Sequence, residues 1–159
     1  MNIVPSVFSK IAWDYFIVSK QIAKQNFHQN IDAEHIFLSI LQNNKSVKKI
    51  LELNELNFEA LEEIVLKKIK NKGKMKSKQH TLFIGDSLHK VFLKANEIKF
   101  NSREVVISTE HILLGLIYDK DIGNLILNQK KIPEFLEFFK KMNKDNPIES
   151  EFDLSLIHI

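Results

Sequence analysis

"ISTEHILLGLI" (residues 107–117) restates a phrase the chain has already written as "IDAEHIFLSIL" (31–41). Each phrase opens with isoleucine and then a short polar side chain, Ser108 or Asp32, of the kind that caps a helix. Each then sets a carboxylate, Glu110 or Glu34, in the first turn, where the helix dipole favours negative charge, and follows it with His111 or His35. Apolar residues come next at helical spacing: Ile36, Phe37, Ile40 and Leu41 form the inward face in the first copy.

The match extends outward from both phrases at one fixed spacing of 76 residues. Upstream, Tyr15 meets Val91, Phe16 meets Phe92, Ser19 meets Ala95 and Ile22 meets Ile98. Within the boxes, Ile36, Leu38, Ile40 and Leu41 meet Ile112, Leu114, Leu116 and Ile117. Downstream, Ile50 and Leu51 meet Ile126 and Leu127. Open solenoids repeat at roughly 20–50 residues, so two copies of a longer unit point to a closed pair.

The rest of the first copy is helical too. In "SKIAWDYFIVSKQIAKQN" the residues Ile11, Ala12, Tyr15, Phe16, Ile22 and Ala23 recur at three and four. "NNKSVKKILEL" (43–53) predicts a short third helix, and Asn57 caps a fourth carried by Phe58, Leu61, Ile64, Val65 and Leu66. The aromatics Trp13, Phe16, Phe37 and Phe92 fall on inward stripes and read as core. No segment shows sheet alternation. The predicted fold is therefore all-α: two tandem four-helix repeats packed as a pseudo-twofold bundle. The expected partition is 8–72 for the first repeat, 73–85 for a basic linker, 86–142 for the second repeat and 143–159 for a polar linker.

Composition narrows the function classes. With 44% hydrophobic and 27% charged residues among 159, the chain can bury a core. It has no cysteine, which removes disulfides and thiolate metal sites. No run approaches the ~20 apolar residues of a membrane span. The opening "MNIVPSVFSK" lacks the basic and apolar segments of a secretory signal, so the expectation is an intracellular protein. The net charge is +3, but "KKIKNKGKMKSK" (67–78) holds seven lysines, and without them the remainder carries −4. Such a segment could meet the phosphates of nucleic acid or anionic lipid. No aromatic residue interleaves it to stack bases, and a solvated helix end running into a linker is the favoured reading.

The doubled unit, the opening "FSKIAWDY" and the hydrophobic–Ser/Thr–Glu–His–hydrophobic box resemble the N-terminal domain of the Clp unfoldases. The resemblance covers roughly residues 8–140. The "FSKIAW" opening and the basic segment between the copies are most similar to the ClpB disaggregase type, with ClpC and ClpA next. The second box follows the family's wording closely. The first departs from it, with Asp32 and Ala33 where Gly-Thr is common, and the family's glycine in the loop near "NNKSVKKIL" is present only in the second copy, as Gly123.

The resemblance implies a receiving role, not a reaction. In that family the domain is a mobile appendage on a hexameric ATP-driven ring. It takes unfolded or aggregated clients, or adaptor proteins, and delivers them to the pore, while AAA+ modules elsewhere hydrolyse ATP. This chain has no G-x-x-x-x-G-K-[ST] phosphate loop, and its four glycines are scattered, so no cofactor is expected to bind it. The implied compartment is the cytoplasm, or the stroma or matrix of an organelle of bacterial origin.

By the same resemblance, Ser9, Glu104 and Glu110 are expected to bind client. Glu34 joins them as the counterpart of Glu110, because in ClpC-like relatives paired box glutamates are associated with docking phosphorylated arginine. Each has a structural reading as well. Ser9 can simply cap the first helix, and a first-turn carboxylate contributes ~0.3–1 kcal/mol with no ligand. His28, His35, His89 and His111 lack the H-E-x-x-H spacing of a metal helix and read as packing or hydrogen-bonding side chains. No nucleophile–base ordering can be read. The competing expectation is a free-standing helical nucleic-acid binder or adaptor that uses the 67–78 lysines. Finally, the terminal "LSLIHI" (154–159) looks like a translated sequencing adapter, so the natural protein is expected to continue.

Overall fold

Short polar side chains start the helices at the places where the chain supplies them. The structure is a computed structural model that describes residues 1–76 and 81–149. After a 3-10 turn (Pro5–Val7) come α1 (Lys10–Gln25), α2 (Ala33–Asn43), α3 (Lys45–Leu53) and α4 (Phe58–Lys70). The second copy supplies α5 (Asp86–Asn101), α6 (Thr109–Leu116), α7 (Lys120–Leu127) and α8 (Ile132–Asp145). Ser9 Oγ accepts from Ala12 N at 3.1 Å, Asn44 Oδ1 from Val47 N at 2.9 Å, and Asn57 Oδ1 from Ala60 N at 3.0 Å. Lys67, Lys68 and Lys70 of the basic run lie in the last turn of α4, where they complement the dipole.

The two repeats interlock through their helix entries. A two-residue strand β1 (Asn30–Ile31) runs parallel to β2 (Phe83–Ile84), with Ile31 opposite Ile84. Phe8 forms an isolated parallel bridge to Ile107. A shift of 76 turns Phe8 into Ile84 and Ile31 into Ile107, so these are one contact seen from each repeat. The segment entering the first helix of one copy pairs with the segment entering the second helix of the other. An all-helical reading does not anticipate these short pairings, because two residues carry no periodicity.

The core runs through the interface. Phe92 is fully buried and meets Phe8 and Phe16 edge-on, at centroid distances of 5.1 and 5.7 Å. Trp13, on the same stripe of α1, is only half-buried against Phe8 and Phe16. Within each repeat the first two helices approach closely by different means. In the first, Ser39 Oγ donates to Tyr15 O at 2.8 Å. Its counterpart is Gly115, where a Cβ would lie 2.7 Å from Val91 O, so glycine is what allows α5 and α6 to touch.

The end of the chain departs from the polar linker expected from residue 143. Helix α8 continues through Asp145, and Ile148 then turns back and is fully buried. Asn44 Nδ2 donates to Ile148 O at 2.8 Å, and Ile148 N donates to Asn143 Oδ1 at 3.0 Å. A single apolar residue in a polar stretch has no periodicity to announce its burial. Lys78 of the basic run and the terminal 154–159 hexamer lie outside the described residues.

Candidate functional site

The route into each box is set by how the preceding helix stops. Both α1 and α5 end in Schellman turns without glycine: His28 N donates to Ala23 O at 2.9 Å, and Glu104 N donates to Lys99 O at 3.1 Å. The residues just before, Phe27 and Arg103, take left-handed φ values of 60° and 59°. The turn thereby aims His28 in the first copy and Glu104 in the second at the histidine of the following box.

Each box histidine serves as the far partner of a capping box, a place usually held by glutamate or glutamine. Asp32 N donates to His35 Nδ1 at 2.8 Å, and Ser108 N donates to His111 Nδ1 at 2.9 Å. That fixes the tautomer, leaving the proton on Nε2. His35 Nε2 donates to His28 Nδ1 at 2.8 Å, whereas His111 Nε2 donates to Glu104 Oε2 at 2.6 Å. One copy thus holds a neutral histidine pair, and the other a histidine–carboxylate pair.

In the second copy the groups picked out from the sequence come together. Ser9 Oγ donates to Glu149 Oε1, and Thr109 N, at the start of α6, donates to Glu149 Oε2 at 2.6 Å. Glu110 sits beside this contact. Burial pushes its carboxyl above the ordinary value; His111 opposes the shift, Glu104 adds to it, Asn143 opposes it by a hydrogen bond, and Glu149 adds to it. Ser9, Glu104, Glu110 and Glu149 therefore form one cluster of donors and carboxylates around the α6 N-terminus. Around Glu104 stand Phe100 and Val105, 77% and 89% exposed. Their counterparts at a shift of 76 are Lys24 and Gln29.

Glu34 lies in the other box, and its environment is closed. Lys72 Nζ, just past α4, lies 3.1 Å from Asp32 Oδ2 and 3.4 Å from Glu34 Oε2. Burial alone would lower the Lys72 ammonium, but the Asp32 and Glu34 carboxylates outweigh it and hold the pKa above the usual lysine value. Ala33 N, the equivalent of Thr109 N, donates to Ser87 Oγ at 2.9 Å. A Cβ on Gly85 would overlap the Asp32 carboxylate, so the glycine that precedes α5 leaves room for this arrangement. Burial and the neighbouring His28 lower the His35 pKa to about 4, and burial together with Lys72 lowers that of His28. A cleft of about 390 Å³ lined by His28, Asp32, Lys72 and Met75 borders this box.

Sequence reasoning named the box histidines but not their capping role, and it missed Lys72 and Glu149. The Ser-x-x-His spacing could have indicated a capping box with histidine in the glutamate place. Nothing local marks Lys72 or Glu149, each 38 to 40 residues from the box it meets. Among the described residues, no group of three or more His, Asp or Glu could hold a metal ion, and no helix is long and apolar enough to cross a membrane.

A doubled four-helix unit with a capped Glu-His box at each second helix defines a class of helical repeat domain, and comparison with known proteins gives that class its family. Residues 7–130 match the Clp repeat (R) N-terminal domain, and the chain belongs to this family. It is 32% identical over 137 residues to the chaperone protein ClpB of Prochlorococcus marinus, a match covering 86% of this chain and 16% of that protein. It is 25% identical over 132 residues to chloroplastic ClpB2 of Oryza sativa, covering 82% of this chain and 14% of the relative. The chain thus spans about one sixth of the length of the curated relatives it matches. The fold is also that of the Hsp104 N-terminal domain from Candida albicans, with a TM-score of 0.73 at 17% identity over 88% of this chain and 91% of the other. The N-terminal domain of the ClpV1 ATPase from Escherichia coli superposes with a TM-score of 0.74 at 14% identity, covering 93% and 92%.

Proposed function

We propose that this chain is the client-receiving domain of a ClpB-type disaggregase, binding unfolded or aggregated segments, or adaptor proteins. The AAA+ modules that hydrolyse ATP and assemble the hexameric ring would lie outside these residues. In this reading 8–72 is the first repeat, and 73–85 joins it to the second. The second begins at 86 and keeps the whole of α8 to Asp145, and the chain beyond 149 leads toward the rest of the protein. The compartment would be the cytoplasm or an organelle of bacterial origin.

The observation that carries the reading is the asymmetry of the second box. There Ser9, Glu104 and Glu110 surround a helix N-terminus beside exposed Phe100 and Val105, a pairing of directed polar groups with apolar surface suited to a peptide. Glu34 is the twofold counterpart, but Lys72, shared with Asp32, already lies 3.4 Å from its carboxylate. The lysine segment does not favour the nucleic-acid alternative. Three of its lysines close α4 and a fourth is held by Asp32.

Fluorescence anisotropy with labelled, unfolded α-casein tests the proposal. Val105→Asp should weaken binding about tenfold, which corresponds to ~1.4 kcal/mol. Gln29→Asp, at the matching position of the first repeat, should leave binding unchanged. Affinity should change little with added salt, because burial rather than phosphate-like charge drives it. Equal effects of the two variants would contradict the assignment.

A further inference from the structure

We infer that residues 147–149 occupy the second-repeat site as a tethered ligand, and that the site takes segments presenting a carboxylate directly after an aliphatic residue. The inference rests on the reading of this site as the client site and names the chemistry it selects.

Both oxygens of the Glu149 carboxylate are used. Oε1 accepts from the Ser9 hydroxyl and Oε2 from the backbone amide of Thr109 at 2.6 Å. Two donors from different repeats thus converge on one anion, and one of them opens a helix whose dipole favours negative charge. The hydroxyl of Thr109, a residue 0% exposed, is buried with no hydrogen-bond partner among the described residues. The site therefore keeps polar capacity that its present occupant does not use. General attraction does not hold the carboxylate there, because the Glu110 carboxyl is its neighbour. The directed donors do.

The backbone behind Glu149 is fixed as a peptide would be. Ile148 is fully buried, its carbonyl accepts from Asn44 Nδ2 at 2.8 Å, and its amide donates to Asn143. The first repeat shows what permanent closure looks like: the matching amide, Ala33 N, is taken by Ser87, which is built into α5. Glu149 lies four residues beyond the end of α8, outside any helix. An occupant joined in this way can leave without unwinding an element, so a segment of like chemistry can replace it.

The test uses the full chain, its Glu149→Ala and Glu149→Gln variants, and two amidated fluorescent peptides ending in NPIE and NPIQ. A tethered ligand lowers apparent affinity by the fraction of sites it leaves open. Both variants should therefore bind the NPIE peptide about fivefold or more tighter than the unsubstituted chain, and neither should bind NPIQ comparably. Circular dichroism selects folded variants, and the isosteric Glu149→Gln serves if the alanine variant loses structure. Equal NPIE affinity for all three chains, or equal binding of NPIE and NPIQ, overturns the inference. Casein separates this from the function itself. If Val105→Asp still weakens casein binding while the peptides do not discriminate, the tethered-ligand inference fails alone. If the peptides discriminate while Val105→Asp has no effect on casein, the client reading fails and the carboxylate site stands.

Discussion

The two boxes share a backbone and differ in nearly everything that touches it. The first is closed by groups of its own fold: Ser87 on the Ala33 amide, and Lys72 across Asp32 and Glu34. The second leaves its amide to a carboxylate from beyond α8, and pairs its histidine with Glu104 instead of a second histidine. In each case a residue shortly after the repeat's last helix reaches the box, but one is a cation and the other an anion. Duplication thus preserves caps, turns and packing while the charge laid over them diverges. The difference teaches that in this chain the box is a scaffold, and that the residues around it decide whether a built-in side chain or a detachable segment covers it.

The largest effect that would sharpen the contrast is on acid stability. His35 is buried, faces His28, Asp32 and Lys72, and has a folded pKa of about 4 against an ordinary 6.5. Its folded pKa is depressed, so below pH 6.5 the unfolded chain takes up a proton that the folded one resists. Stability is thus intact above pH 6.5 and lost as pH falls toward about 4, by ~1.4 kcal/mol per unit, or ~2 kcal/mol at pH 5. His28→Glu would give the first box the second's partner and should at least halve that loss. Urea midpoints at pH 7.5 and 5 measure it.

Exchanging the packing residues comes next. Gly115→Ser writes the first repeat's residue into the second, where its Cβ meets the Val91 carbonyl at 2.7 Å. The expected cost is ~1–3 kcal/mol from overpacking. The reverse, Ser39→Gly, removes a hydrogen bond and adds a helical glycine, for ~1–2 kcal/mol. Denaturant unfolding of the pair shows whether the two helix contacts are interchangeable; a neutral Gly115→Ser would mean that they are.

A smaller gain is expected at the turn before the second box. Arg103 is exposed and holds a left-handed φ of 59°, so Arg103→Gly should stabilise the fold by ~0.5–1 kcal/mol. The smallest effect concerns Glu110. Its folded pKa is raised, so its ionisation costs stability above the ordinary value of 4.5 and costs nothing well below it. Glu110→Gln should therefore stabilise the protein slightly at pH 7, by less than about 1 kcal/mol, with the gain vanishing toward pH 4. Thermal melts at the two pH values detect it.

How much of this was legible in the sequence follows from range. The helices, the caps at Ser9, Asn57 and Ser108, and the register of the two copies were legible, because each depends on residues within a turn or on a periodic stripe. Ser9, Glu104 and Glu110 could be named from the resemblance, and the fold brings them to one cluster; Glu34 belongs to another. The glycine-free turns at Phe27 and Arg103 were hidden, since their residue types do not advertise positive φ. Lys72 and Glu149 were hidden for a different reason. Their contacts span about forty residues and arise only when the last helix of a repeat delivers the chain back to the box. Ile148 shows the same limit, a core residue in a stretch whose composition reads as linker.

The most direct test of the account is amide shift mapping by NMR during titration of the full chain with unfolded α-casein. The account predicts that the shifts concentrate on Ser9, Glu104, Val105, Thr109 and Glu110, with the Glu149 amide moving as its carboxylate is displaced, while Ala33, Glu34 and Lys72 stay still. Shifts centred on Glu34 and Lys72, or divided equally between the two boxes, would contradict it.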